Sequence, residues 1–71
     1  FMSEDSSKNP LWPVLVEAVH SLVLYSHHKA YVRDVVLHEK PEISPRDLAT
    51  SLGISLGEAM VILHELKEGG G

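Results

Sequence analysis

Two short amphipathic segments follow one another in the C-terminal half of the chain, and each is bounded by helix signals. The first carries one apolar stripe, made by Leu48, Ala49 and Leu52. The Ser44 hydroxyl suits a helix start, Pro45 suits the first turn because its missing N–H has no partner there, and Gly53 suits the left-handed conformation that ends a helix. The pattern predicts a helix over residues 45–52.

The second segment repeats these signals directly after the first. Its start is marked by Ser55, and Glu58 follows three residues later, which is the spacing of a capping box. Apolar residues then recur at helical spacing, at Ala59, Ile62, Leu63 and Leu66. The pattern predicts a second helix over 56–68, joined to the first by a tight turn at Gly53.

The N-terminal half contains one long apolar run, Leu11 to Tyr25. It predicts a helix over 12–28, with Pro13 tolerated because it falls in the first turn. At 100° per residue the apolar positions cover an arc of about 200°, which is wider than the single packing face of a surface helix. The sequence therefore predicts that this helix packs on two partners.

The remaining residues complete an all-α prediction. Residues 1–9 are polar and have little to bury, so they predict a disordered leader. After a bend near 29–30, a third helix is expected over 31–40, because Pro41 prevents it from continuing. The predicted architecture is a long N-terminal helix plus a three-helix helix-turn-helix unit, in a single domain over 10–71.

Residues 32–69 resemble the helix-turn-helix core of winged-helix transcription regulators. The resemblance is carried by Glu39-Lys40-Pro41-Glu42-Ile43-Ser44, Asp47-Leu48-Ala49, Leu52-Gly53-Ile54-Ser55 and Leu63-His64-Glu65-Leu66-Lys67-Glu68-Gly69. It implies a winged-helix-like fold without a complete wing, either because this is a wingless variant or because a wing follows Gly71. It also implies a small DNA-associated regulator that acts as a dimer.

By this resemblance the second helix of the motif enters the major groove, and its outward side chains read bases. The residues implied at DNA are Arg46, Ser55, Gly57, Glu58, Val61, His64 and Lys67. This set is poor in the donors that bases and phosphates require. The chain has 6 Lys and Arg against 10 Asp and Glu, a formal net charge of -4, so it has little of the electrostatic attraction on which DNA affinity depends.

The alternative function is a protein-interaction module that reuses the helix-turn-helix fold without binding DNA. By the 3.6-residue period, Met60 and Val61 fall on the outward face of the second helix, where methionine is an adaptable contact for protein. The residues predicted to bind a partner are Met60, Val61 and His64. A third interpretation is that the N-terminal helix predicted over 12–28, or a wing beyond residue 71, covers this face of the second motif helix.

A second copy of the chain is the simplest partner for the wide apolar arc of the first helix, since symmetric dimers are the commonest assembly. The predicted dimer interface consists of Trp12, Leu15, Val19, Leu22 and Val23. The competing interpretation is a four-helix monomer that curls tightly enough to cover the whole arc. Both remain open from the sequence.

Candidate chemistry is sparse. Glu17 and His20 have the spacing of carboxylate metal bundles, but such sites need several converging carboxylates, so we predict neither a metal nor a cofactor. The sequence has no Gly-rich phosphate loop and no nucleophile with an adjacent base, and an enzyme is not predicted. It has no cysteine and no apolar run that could span a bilayer. We therefore expect a cytoplasmic protein without a membrane partner.

Overall fold

The computed structural model describes residues 8–68, and within that range the regular structure is helical. The segments are α1 (Trp12–His20), α2 (Tyr25–Tyr31), a π-helical turn (Val32–Val36), α3 (Leu37–Glu39), α4 (Pro45–Leu52) and α5 (Leu56–Lys67). Residues 8–68 contain no strand, so the predicted all-α class is confirmed for them. None of these helices is both long and apolar enough to pass through a membrane.

The chain enters α1 through a turn at Asn9. The Asn9 side-chain oxygen accepts from Leu11 N at 2.8 Å, and its carbonyl accepts from Trp12 N at 2.9 Å. The predicted leader over 1–9 therefore overlaps this turn at Asn9. The rest of the predicted leader, apart from residue 8, lies outside the described residues.

The long N-terminal helix predicted over 12–28 is interrupted at residues 21–24. Ser21 Oγ donates to Ala18 O at 2.6 Å, and Leu22 N and Tyr25 N each donate to the carbonyl three residues earlier. These short-range bonds replace the α-helical pattern and turn the chain. As a result α1 ends at His20, and the predicted single helix was wrong.

The second helical stretch is continuous where a break was expected. α2, the π-helical turn and α3 follow each other directly from residue 25 to 39, so the predicted bend at 29–30 was wrong. Val32 is fully buried at the start of the π-helical turn. Lys40 leaves the helical conformation, with φ -137 and ψ 76, in agreement with the restriction that Pro41 places on the residue before it.

The α4–α5 hairpin follows the sequence signals closely. Ser44 Oγ accepts from Asp47 N and Ser55 Oγ accepts from Glu58 N, both at 3.1 Å. Gly53 takes the left-handed conformation, with φ 67 and ψ 31. The bounds of α4 are as predicted, and α5 ends at Lys67, one residue before the predicted end.

α5 is the centre of the fold. Its residues 58–63 are all buried, and α1, α2 and α4 each pack against it. The other buried apolar residues are Val19, Tyr25, Val32, Ile43 and Leu48. A helix that is covered on most sides needs apolar residues around most of its circumference, which explains why its pattern is not confined to one stripe.

Candidate functional site

The first turn of α5 carries a buried carboxylate. Glu58 is only 5% exposed, and its Oε2 lies 2.6 Å from Nδ1 of His28 on α2. Its backbone N–H donates to Ser55 Oγ, the helix N-cap. Its carboxylate contacts His28 instead of the backbone N–H of Ser55, which it would accept from in a complete capping box. The serine half of the predicted capping box is therefore present, while the carboxylate joins α5 to α2.

In the last turn of α5, Glu65 contacts three side chains from α1 and α2. Tyr25 OH donates to Glu65 Oε1, and Lys29 Nζ donates to the same oxygen at 3.2 Å. His20 Nε2 lies 2.7 Å from Glu65 Oε2. The His20 and Tyr25 rings also contact each other, with centroids 5.1 Å apart. We call these four residues the Glu65 cluster.

The electrostatics of the Glu65 cluster favour an ionised carboxylate beside a neutral phenol. Burial acts to raise the pKa of Glu65, but hydrogen bonds from Tyr25, His20 and Lys29 outweigh it, and that pKa lies below its ordinary value. Burial, followed by the hydrogen bond to Glu65, raises the pKa of Tyr25 well above its ordinary value. Both Glu65 oxygens are occupied by donors, so the arrangement serves to fasten helices together.

An open groove of about 600 Å³ lies over the Glu65 cluster. Its lining residues are His20, Tyr25, Lys29, His64, Glu65 and Glu68. Within residues 8–68 no three His, Cys, Asp or Glu side chains come together as metal ligands would. Glu17 is exposed on α1, whereas His20 is paired with Glu65.

α1 lies across the face of α5 that the sequence analysis assigned to DNA. The Trp12 ring packs edge-on against His64, with centroids 5.1 Å apart and planes at 73°. A Cβ placed on Gly57 would lie 3.0 Å from Leu15 Cδ1, so the glycine permits this close approach of α1. The outward face predicted for α5 is thus covered by the chain's own first helix.

Met60 and Val61 do not lie on an outward face. Met60 is 8% exposed and Val61 is fully buried. The expectation that this apolar pair points outward was wrong, because α1 and α2 pack on sides of α5 that a helix with one buried stripe would leave free. Of the three residues predicted to bind a protein, only His64 retains partial exposure.

The residues that the resemblance implies at DNA fall into three groups that differ in how exposed they are. Arg46, Ser55 and Lys67 are exposed. Gly57 and His64 are half-buried beneath α1, and Glu58 and Val61 are buried. Glu58 is also held by His28. Base contacts by Gly57 and His64 would therefore require α1 to move away, and a base contact by Glu58 would require its contact with His28 on α2 to break.

The predicted dimer interface is also divided. Val19 is buried in the protein's own core, and Trp12 and Leu15 are partly buried against it. Leu22 is 45% exposed and Val23 is 91% exposed. The bend at 21–24 separates the two groups by turning the chain after α1.

Exposed apolar side chains remain on the outer side of α1 and on the bend. They are Leu11, Val14, Ala18, Leu22, Val23 and Leu24, which we call the outer apolar stripe. Leu11 and Val14 are each 62% exposed, and Leu24 is 53% exposed. The sequence analysis assigned none of these three to a site, although the wide apolar arc of the first helix was the available signal.

Comparisons with protein-family models, with curated proteins and with solved structures give no significant match to this chain.

Proposed function

We propose that this chain is a helix-turn-helix module that contacts protein instead of DNA. In this proposal α4 and α5 form the helix-turn-helix motif, and the helical stretch over 25–39 precedes it. α1 covers the face of α5 that winged-helix regulators use to read bases. The observation that carries the proposal is the outer apolar stripe, whose side chains include Val23 at 91% exposure. Apolar surface of this kind favours association with protein.

The covered face of α5 is the first argument against DNA. Trp12 contacts His64, and Leu15 contacts Gly57. α1 therefore covers two of the α5 residues that the resemblance implies at the DNA bases. Opening this face would expose Val61, which is fully buried. Exposing apolar core residues costs about 1.5–3 kcal/mol for each side chain.

Charge is the second argument. DNA affinity depends on neutralising phosphates with Lys and Arg, and this chain carries a formal net charge of -4. Arg33 and Lys29 are already paired with Asp34 and Glu65. In contrast, the outer apolar stripe contains no charged residue and suits an uncharged apolar surface on a partner protein.

The second candidate is the DNA-associated regulator implied by the resemblance. It is favoured by the exposure of Arg46, Ser55 and Lys67 beside the α4–α5 hairpin. In a dimer these contacts would be doubled. A cytoplasmic location is part of both candidates, and the absence of cysteine is compatible with it.

The discriminating experiment is a titration of the purified chain with labelled duplex DNA of about 20 base pairs, two helical turns, over a series of salt concentrations. We expect no binding at low salt and no difference between the wild-type chain and the double variant Arg46→Glu/Lys67→Glu. Binding that weakens steeply with salt and is lost in this variant would overturn the proposal in favour of the regulator.

A further inference from the structure

The outer apolar stripe has the spacing of a helix-pairing seam. Leu11, Val14 and Ala18 are separated by three and four residues, which places them within an arc of about 60° at 100° per residue. They are all exposed, while Trp12 and Val19 on the opposite side of α1 face the core. Leu22 continues the seam one turn later at the bend.

We propose that a second copy of this chain covers the outer apolar stripe through a symmetric, antiparallel pairing of the two α1 helices. The inference rests on the proposed function, because it names the partner of the same surface. In this arrangement Val14 of one copy lies against Ala18 of the other, which sets a large side chain against a small one. Antiparallel pairing also aligns the helix dipoles favourably.

The area of the stripe fits a small dimer. At the observed exposures its side chains present on the order of 500 Å² of apolar surface, which is in the upper part of the range of the largest patch on a typical monomer. Two copies would bury about 1,000 Å² in total, which reaches the lower limit for a specific interface. A chain of 71 residues gains substantially from such burial, because its own core is small.

The absence of charge on the stripe favours a second copy over a partner of different chemistry. Between Trp12 and His20, Glu17 is the only Asp, Glu, Lys or Arg, and it lies beside the stripe. A charged partner would find no complementary group here. A second copy presents the same uncharged surface, which is self-complementary under a two-fold axis.

The test is sedimentation equilibrium over about 1 μM to 1 mM protein, with the variant Val14→Asp and the control Ser26→Asp. We expect a dimer whose dissociation constant rises roughly tenfold or more in Val14→Asp, because two carboxylates enter an apolar seam, and is unchanged in Ser26→Asp. Val14 is exposed in the first turn of α1, where a carboxylate is favourable, so this variant should keep its helical circular dichroism.

The antiparallel arrangement is tested by disulfide trapping, since the chain has no native cysteine. When equal amounts of Val14→Cys and Ala18→Cys chains are mixed and oxidised, we expect the mixed disulfide to exceed the share that random pairing would give. Dominant Val14→Cys homodisulfides would overturn the antiparallel pairing.

A monomer at every concentration in the sedimentation experiment would overturn the dimer, and the stripe would then be covered by another protein or by the chain's own terminal residues. DNA binding in the salt series would instead overturn the proposed function.

Discussion

At the scale of single residues, Glu65 is the main polar connection between the N-terminal helices and α5. Its carboxylate receives donors from His20 on α1 and from Tyr25 and Lys29 on α2. Partial burial disfavours an ionised group, but charge-assisted hydrogen bonds offset that cost. The Glu65 cluster therefore contributes to stability only while the carboxylate is ionised.

This dependence predicts a specific pH effect. Because the pKa of Glu65 in the folded chain lies below its ordinary value of 4.5, its stabilisation is complete above that pH and is lost as the pH falls through the folded-state pKa. We expect Glu65→Gln to lower the free energy of unfolding at neutral pH by about 1–3 kcal/mol and to flatten its decline in acid. Urea unfolding at a series of pH values measures both effects.

The matched control is Glu68→Gln, which removes an exposed carboxylate just after the same helix. It should leave the acid decline close to that of the wild-type chain. An unchanged slope in Glu65→Gln would contradict the role assigned to the Glu65 cluster.

Residues whose roles are local could be predicted from the sequence. Ser44, Ser55 and Gly53 act within three or four positions of themselves, and the structure confirms all three. The pairing of Glu65 with His20 joins positions 45 residues apart. No period or spacing signals such a contact, because it depends on how the helices are arranged in three dimensions.

At the scale of helices, the start of α5 depends on one serine. The Ser55 hydroxyl accepts from Glu58 N, whereas the Glu58 carboxylate is held by His28 and does not return to the cap. With only half of a capping box present, no second side chain compensates for the loss of Ser55. The helix start is correspondingly sensitive to this position.

We expect Ser55→Ala to reduce the free energy of unfolding by about 1 kcal/mol, the usual cost of removing an N-cap. Ser51→Ala, the same change at an exposed position inside α4, should be neutral or slightly stabilising because alanine has the higher helix propensity. Denaturant unfolding of the two variants makes the comparison. Equal effects would show that the cap contributes nothing specific.

Helix boundaries were predictable only where strong terminators occur. Pro41 and Gly53 correctly marked the ends of two helices. The bend at 21–24 contains neither proline nor glycine. The hydrogen bond from Ser21 Oγ to Ala18 O accompanies the bend, but bonds of this kind also occur inside helices, whereas the burial of Tyr25 in the core depends on the chain turning here. Tertiary packing therefore decides this boundary.

At the scale of the whole molecule, the position of α1 determines which surfaces are available. By covering Gly57 and His64, α1 removes the expected recognition face and exposes its own outer side. The sequence indicated that the first helix needed two partners, but its apolar arc gave no means of deciding which side met the core. Burial in the structure resolves that choice.

The arrangement makes a final prediction about Val61, which the sequence placed on an outward face and the structure places in the core. A carboxylate at a fully buried position loses hydration without gaining a partner, at a cost comparable to the whole stability of a small domain. We expect Val61→Asp to abolish the helical circular dichroism spectrum, whereas Val23→Asp, the same change at a side chain that is 91% exposed, should retain it. A folded Val61→Asp chain would mean that α1 does not cover α5 in solution, and the recognition face would again be open to a ligand.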